Sequence, residues 1–66
     1  MELTVNGEKL KYEGPPTLVG LLRQLGINPQ AVAVERNREV VLCGQIEGAG
    51  LADGDCLEIL RMVGGG

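Results

Sequence analysis

Polar and apolar residues alternate along Glu2-Leu3-Thr4-Val5, which predicts a strand with Leu3 and Val5 facing a core. Asn6-Gly7 follows, a pair suited to a two-residue hairpin turn because both positions need positive φ. Glu8 to Glu13 alternates again as the return strand, and Gly14-Pro15-Pro16 stops it, since proline brings no N–H to a ladder. The period then changes. Leu18, Leu21, Leu22 and Leu25 recur at helical spacing, so a helix is expected with all four on its buried face. Thr17 is placed to cap its first turn, and Gly26 to take the left-handed position after its last. Gly20 sits inside this helix at a cost of about 1 kcal/mol relative to alanine, and nothing in the sequence accounts for it.

The remaining elements are shorter. Ala31 to Glu35 reads as a third strand with Val32 and Val34 inward, Asn37-Arg38 as a turn, and Glu39 to Leu42 as a fourth strand. Cys43 to Gly50 holds three glycines and no clean period, so it reads as a loop with one helical turn around Ile46. Leu51 is expected to tuck under the sheet. Asp53-Gly54-Asp55 is a turn signal, and Cys56 to Val63 is the last strand. One helix must cover one face of one sheet, because neither buries its apolar side alone. A right-handed crossover with the first and last strands parallel in the middle gives an α+β architecture, the β-grasp or ubiquitin-like roll. The domain is expected over residues 1–63, with 64–66 as a flexible tail.

Composition narrows the chemistry. Sixty-six residues make one small domain with little room for an enclosed catalytic pocket. The chain has no histidine, so imidazole base chemistry and histidine metal ligation are absent. A net charge of −3 and a single aromatic residue, Tyr12, argue against a nucleic-acid binder. No apolar run approaches the ~20 residues that cross a bilayer, and no secretory signal opens the sequence, so a cytoplasmic address is expected. Cys43 and Cys56 do not form a metal knuckle, and they read as reduced thiols packed in or near the core rather than as nucleophiles. Asp53 and Asp55 read as turn residues rather than metal ligands.

The sequence closes on Val63-Gly64-Gly65-Gly66. Glycine has the largest backbone freedom and no side chain, so this stretch is either a frayed end or a thin lead. A lead of this kind enters a channel too narrow for any Cβ and delivers one functional group, the carboxylate of Gly66.

A β-grasp ending in bare glycines resembles the ThiS/MoaD family of sulfur carriers, and within it the thiamine-biosynthesis branch. The resemblance runs through the Asn6-Gly7 hairpin, Thr17-Leu18 with Leu21-Leu22, Val32-Ala33-Val34, Asn37 and Glu39, Asp53-Gly54-Asp55, and Leu57-Glu58-Ile59 leading to the glycines. Leu42-Cys43 and Ile46 depart from the proline-arginine pair and tryptophan common in that branch. The resemblance implies a cosubstrate rather than an enzyme, with no catalytic residue, metal or bound cofactor of its own. A ThiF-type adenylyltransferase would use Mg-ATP to adenylate Gly66. A cysteine desulfurase system would supply sulfur to form the Gly66 thiocarboxylate, and thiazole synthase (ThiG) would take that sulfur into a thiazole. Other readings stay open: a carrier for molybdopterin or another product, a ubiquitin-like modifier joined through Gly66 to lysines, and a β-grasp adaptor with an inert tail.

Alternation along the last strand locates a docking face. If Leu57 and Ile59 meet the helix, then Cys56, Glu58, Leu60 and Met62 point the other way. Glu58, Leu60 and Met62 are therefore expected to receive partners, together with Val63 next to the tail, with Gly64 and Gly65 leading Gly66 outward. The free protein is expected to be a monomer.

Overall fold

The computed structural model describes residues 1–61, with Cys43 described in its backbone only. The expected boundary at residue 63, the expected docking residues Met62 and Val63, and the 64–66 tail lie outside the described residues. The elements are β1 (Glu2–Val5), β2 (Glu8–Lys11), α1 (Leu18–Gln24), β3 (Val32–Arg36), β4 (Glu39–Val41) and β5 (Cys56–Arg61). Short 3-10 turns occupy Pro29–Ala31 and Cys43–Gly48. The strands form one sheet in the order β2-β1-β5-β3-β4. β1 and β5 are parallel neighbours, and the other pairs are antiparallel. This is the expected β-grasp. Among the described residues, no helix is long and apolar enough to cross a membrane.

The first hairpin closes on Asn6 and Gly7, at φ 51° and 83°, which is the geometry of a type I′ turn. β2 ends at Lys11, two residues before the sequence pattern does. The pairing nevertheless continues one step, because the Tyr12 N–H donates to the Met1 carbonyl at 2.8 Å. The Tyr12 ring then turns into the core, 2% exposed, and its hydroxyl donates to the Pro15 carbonyl at 2.7 Å. The proline pair thus stops the strand and also accepts the one buried phenol.

Helix α1 begins at its expected cap, where Thr17 Oγ1 accepts the Gly20 N–H at 3.1 Å. It ends in a Schellman motif. Gly26, at φ 74°, donates to the Arg23 carbonyl at 3.1 Å, and Ile27 donates to the Leu22 carbonyl at 2.8 Å. Leu18, Leu21 and Leu22 are fully buried. Leu25 corrects the expected four-leucine face. It is the C-cap residue, 40% exposed, and it borders a groove with Val5, Leu10 and Ile27. The physical reason is length: α1 has seven residues, about two turns, and the fourth leucine falls just past them.

Gly20 gains a reason that the sequence withheld. A Cβ at this position would stand 2.8 Å from the Tyr12 hydroxyl and 3.2 Å from the Pro15 carbonyl oxygen. The helix can lie against the tyrosine–proline corner only where it carries no side chain.

The core comprises Leu3, Tyr12, Leu18, Leu21, Leu22, Val32, Val34, Ile46, Leu57 and Ile59. Leu51 packs partly against it, as expected. Ala31, expected in β3, belongs to the preceding 3-10 turn, which Asn28 caps by accepting the Gln30 N–H at 3.0 Å. The 43–50 segment is more ordered than its glycines imply. Its 3-10 turn delivers Ile46 into the core with no exposure. The segment is tied to the start of α1 on both sides of a bridge: Leu18 donates to Ala49 and Leu51 to Pro16, each at 3.0 Å.

Candidate docking face

Strand β5 is central, and two turns hold it from opposite sides. Asn6 sits at the tip of the β1–β2 hairpin. Its N–H donates to the Leu57 carbonyl at 2.9 Å, and its Oδ1 accepts the Ile59 N–H at 2.8 Å. Asn37 sits in the β3–β4 turn at φ 52°. Its N–H donates to the Cys56 carbonyl at 2.8 Å, and its Oδ1 accepts the Cys56 N–H at 3.0 Å. Asparagine suits both places because it tolerates positive φ and carries an amide acceptor.

The Asp53-Gly54-Asp55 turn fixes where β5 begins. Asp53 Oδ1 accepts the Glu2 N–H at 2.6 Å, while Asp55 accepts the Ala52 N–H at 2.9 Å and the Asn37 amide at 3.1 Å. Gly54 turns at φ 89° and donates to the Glu2 carbonyl at 2.7 Å. Both carboxylates thus serve the turn, which joins the starts of β1 and β5.

With its first half held from both sides, β5 alternates its side chains across the sheet. Leu57 and Ile59 are 1% and 8% exposed beneath the helix. Cys56, Glu58 and Leu60 are exposed on the opposite face, Leu60 at 56%. Of the four expected docking residues, Glu58 and Leu60 therefore lie together on the open face. For Cys56 the expectation of a thiol packed in or near the core is overturned, while the outward position given by alternation is met. It is a free, exposed cysteine, because strand parity sets it with Glu58 and Leu60 rather than with the core.

The register extends this face over neighbouring strands. Leu60 pairs with Ala33, Glu58 with Glu35, and Glu35 in turn with Val40. Val40 is 59% exposed. An apolar and acidic patch thus spans β5, β3 and β4. Ala33, Glu35 and Val40 were not singled out from the sequence. The signal was available, since Val32 and Val34 inward require Ala33 and Glu35 outward. The Asn6 and Asn37 contacts to β5 carry no local signal, because each joins residues far apart in the chain.

Comparison with known proteins agrees with this architecture. The family model described as the ThiS family matches residues 1–66. The chain is 36% identical to the sulfur carrier protein ThiS of Thermus thermophilus over 62 residues, covering 94% of this chain and 95% of that one. It is 41% identical over 66 residues to a thiazole synthase of Paramagnetospirillum magneticum, but there it spans only 20% of the relative's length. Among solved structures, the crystal structure of the thiamine biosynthesis protein ThiS from Geobacter metallireducens superimposes with a TM-score of 0.82 at 35% identity, covering both chains fully. Matched by the family model over residues 1–66, this β-grasp chain belongs to the ThiS family of small sulfur carriers.

Proposed function

We propose that the chain carries sulfur as a thiocarboxylate on Gly66 and donates it to thiazole formation in thiamine biosynthesis. The observation that supports this most is the match to ThiS sulfur carriers over nearly the whole of both chains, with the glycine run inside the matched family segment. A free carboxylate is a poor electrophile, so it must be activated. In the proposed sequence, a Gly66 carboxylate oxygen attacks the α-phosphate of ATP on a ThiF-type adenylyltransferase, and pyrophosphate leaves. A persulfide derived from a cysteine desulfurase then attacks the acyl carbon, and AMP leaves. A thiol reductant cleaves the resulting acyl disulfide, which leaves the thiocarboxylate. The partner enzymes supply ATP, magnesium and bases; this chain supplies the acyl group and the surfaces that place it.

Thiazole synthase (ThiG) is the proposed sulfur acceptor. The likeness of this whole chain to a segment of a thiazole synthase supports that pairing. The open face of β5 at Glu58 and Leu60 is the proposed docking surface, with Met62 and Val63 following it in sequence. Its place next to the tail is what recommends it, because a partner that grips Leu60 holds the glycines near its active site. Three glycines reach roughly 10 Å when extended.

The test is sulfur loading with a purified ThiF-type enzyme, Mg-ATP and a persulfide source. Wild-type protein should load, and protein with one residue appended after Gly66 should not. Equal loading of the extended protein would defeat the proposal.

A further inference from the structure

Strands β3 and β5 set two carboxylates side by side on the open face. Glu35 and Glu58 are directly opposed in the antiparallel register. Like charges in that position destabilise a sheet. None of the basic residues near the sheet stands directly opposite either carboxylate in the register, and Arg38, exposed in the β3–β4 turn, lies beyond the paired residues. Lys9 and Lys11 lie on β2, with β1 between them and β5, two strand spacings or about 10 Å away. Arg36 and Arg61 are opposed to the buried Leu57 and Val32, on the helix side of the sheet. The acidic pair is bordered by apolar groups: Val40 on the β4 side, and Leu60 with Ala33 one row along.

From this arrangement we infer that the open face is built to receive a guanidinium. The partner is a protein surface that presents an arginine between apolar side chains, the arginine bridging Glu35 and Glu58. The inference rests on the docking reading above and names what the partner must bring. Charge complementarity selects the cation, and the paired geometry selects arginine, whose planar fork can meet two carboxylates at once. The flanking Leu60 and Val40 would exclude water from the pair on docking, which strengthens it. The opposed charges thus weaken the free sheet slightly and favour the bound state.

The experiment is a titration of the purified ThiF-type adenylyltransferase with wild-type, Glu35→Gln, Glu58→Gln and doubly substituted protein, at low and high salt and without ATP. Each single substitution should weaken binding about tenfold or more, and the double substitution should remove most of the salt dependence. Thermal melts should show each variant folded and no less stable than wild type, since the like-charge opposition is relieved. Unchanged affinity in both single variants, or no binding by wild type, would overturn the inference. Sulfur loading of Gly66 in the same proteins separates the two readings. Binding that responds to the substitutions without any loading would leave the arginine site and defeat the carrier reading. Normal loading with unchanged affinity would do the reverse.

Discussion

Gly20 shows how a residue that is poor by local propensity can be required by packing. Alanine there should help an isolated helix by about 1 kcal/mol. In this protein its Cβ meets the Tyr12 hydroxyl at 2.8 Å, and that ring is held by its bond to Pro15. Gly20→Ala should therefore lower stability, by about 1–2 kcal/mol net of the propensity gain. In a Tyr12→Phe background, where the hydroxyl is gone, the same substitution should cost less. Urea melts of the four proteins would measure the coupling. A Gly20→Ala protein more stable than wild type would remove the close-approach explanation. The sequence could not supply this account, because the partner lies across the Gly14-Pro15-Pro16 break and no periodicity links the two.

The last strand is placed by two asparagine turns and one aspartate-glycine-aspartate turn, and each of these was legible only as a turn. Asn6-Gly7 and Asn37-Arg38 announce hairpins by their tolerance of positive φ. That their side chains also bond the backbone of β5 follows from topology rather than from local sequence. Asn6→Ala should cost about 2–3 kcal/mol, since it strands the partly buried Ile59 N–H and puts alanine at φ 51°. Asn6→Gly should cost less, because only the hydrogen bond is lost, and Asn6→Asp should come closest to wild type because it keeps an acceptor. Denaturant melts that ranked the three alike would argue against the clamp. The 43–48 segment lay beyond periodic reading for a related reason. A single isoleucine among glycines gives no repeat, yet Ile46 is fully buried because the segment closes over one end of the core.

Taken whole, the fold was legible because its two periods are clean and its turn residues are explicit. The change from two to 3.6 at Thr17, the order of strands and one helix leave few other ways to bury both apolar faces. The candidate site was legible in part. Alternation along β5 put Cys56, Glu58 and Leu60 on the open face, and it overrides the separate reading of Cys56 as a thiol packed in or near the core. The contributions of Glu35 and Val40 needed the register of β3 with both its neighbours. Leu60→Asp should leave the melting curve close to that of wild type, because Leu60 is already 56% exposed. It should also weaken binding to the adenylyltransferase by tenfold or more, on the order expected when an apolar anchor is replaced by charge. A folded Leu60→Asp protein with wild-type affinity would remove this face from the account.

The central claim is that Gly66 carries the sulfur. It is tested most directly by mass spectrometry of the carboxyl-terminal peptide after incubation with the adenylyltransferase, Mg-ATP and a persulfide donor. The account predicts the mass change of one oxygen exchanged for sulfur, confined to the fragment that contains Gly66, dependent on ATP and unaffected by replacing Cys43 and Cys56 with serine. Sulfur found on either cysteine instead, with the Gly66 fragment unchanged, would contradict it.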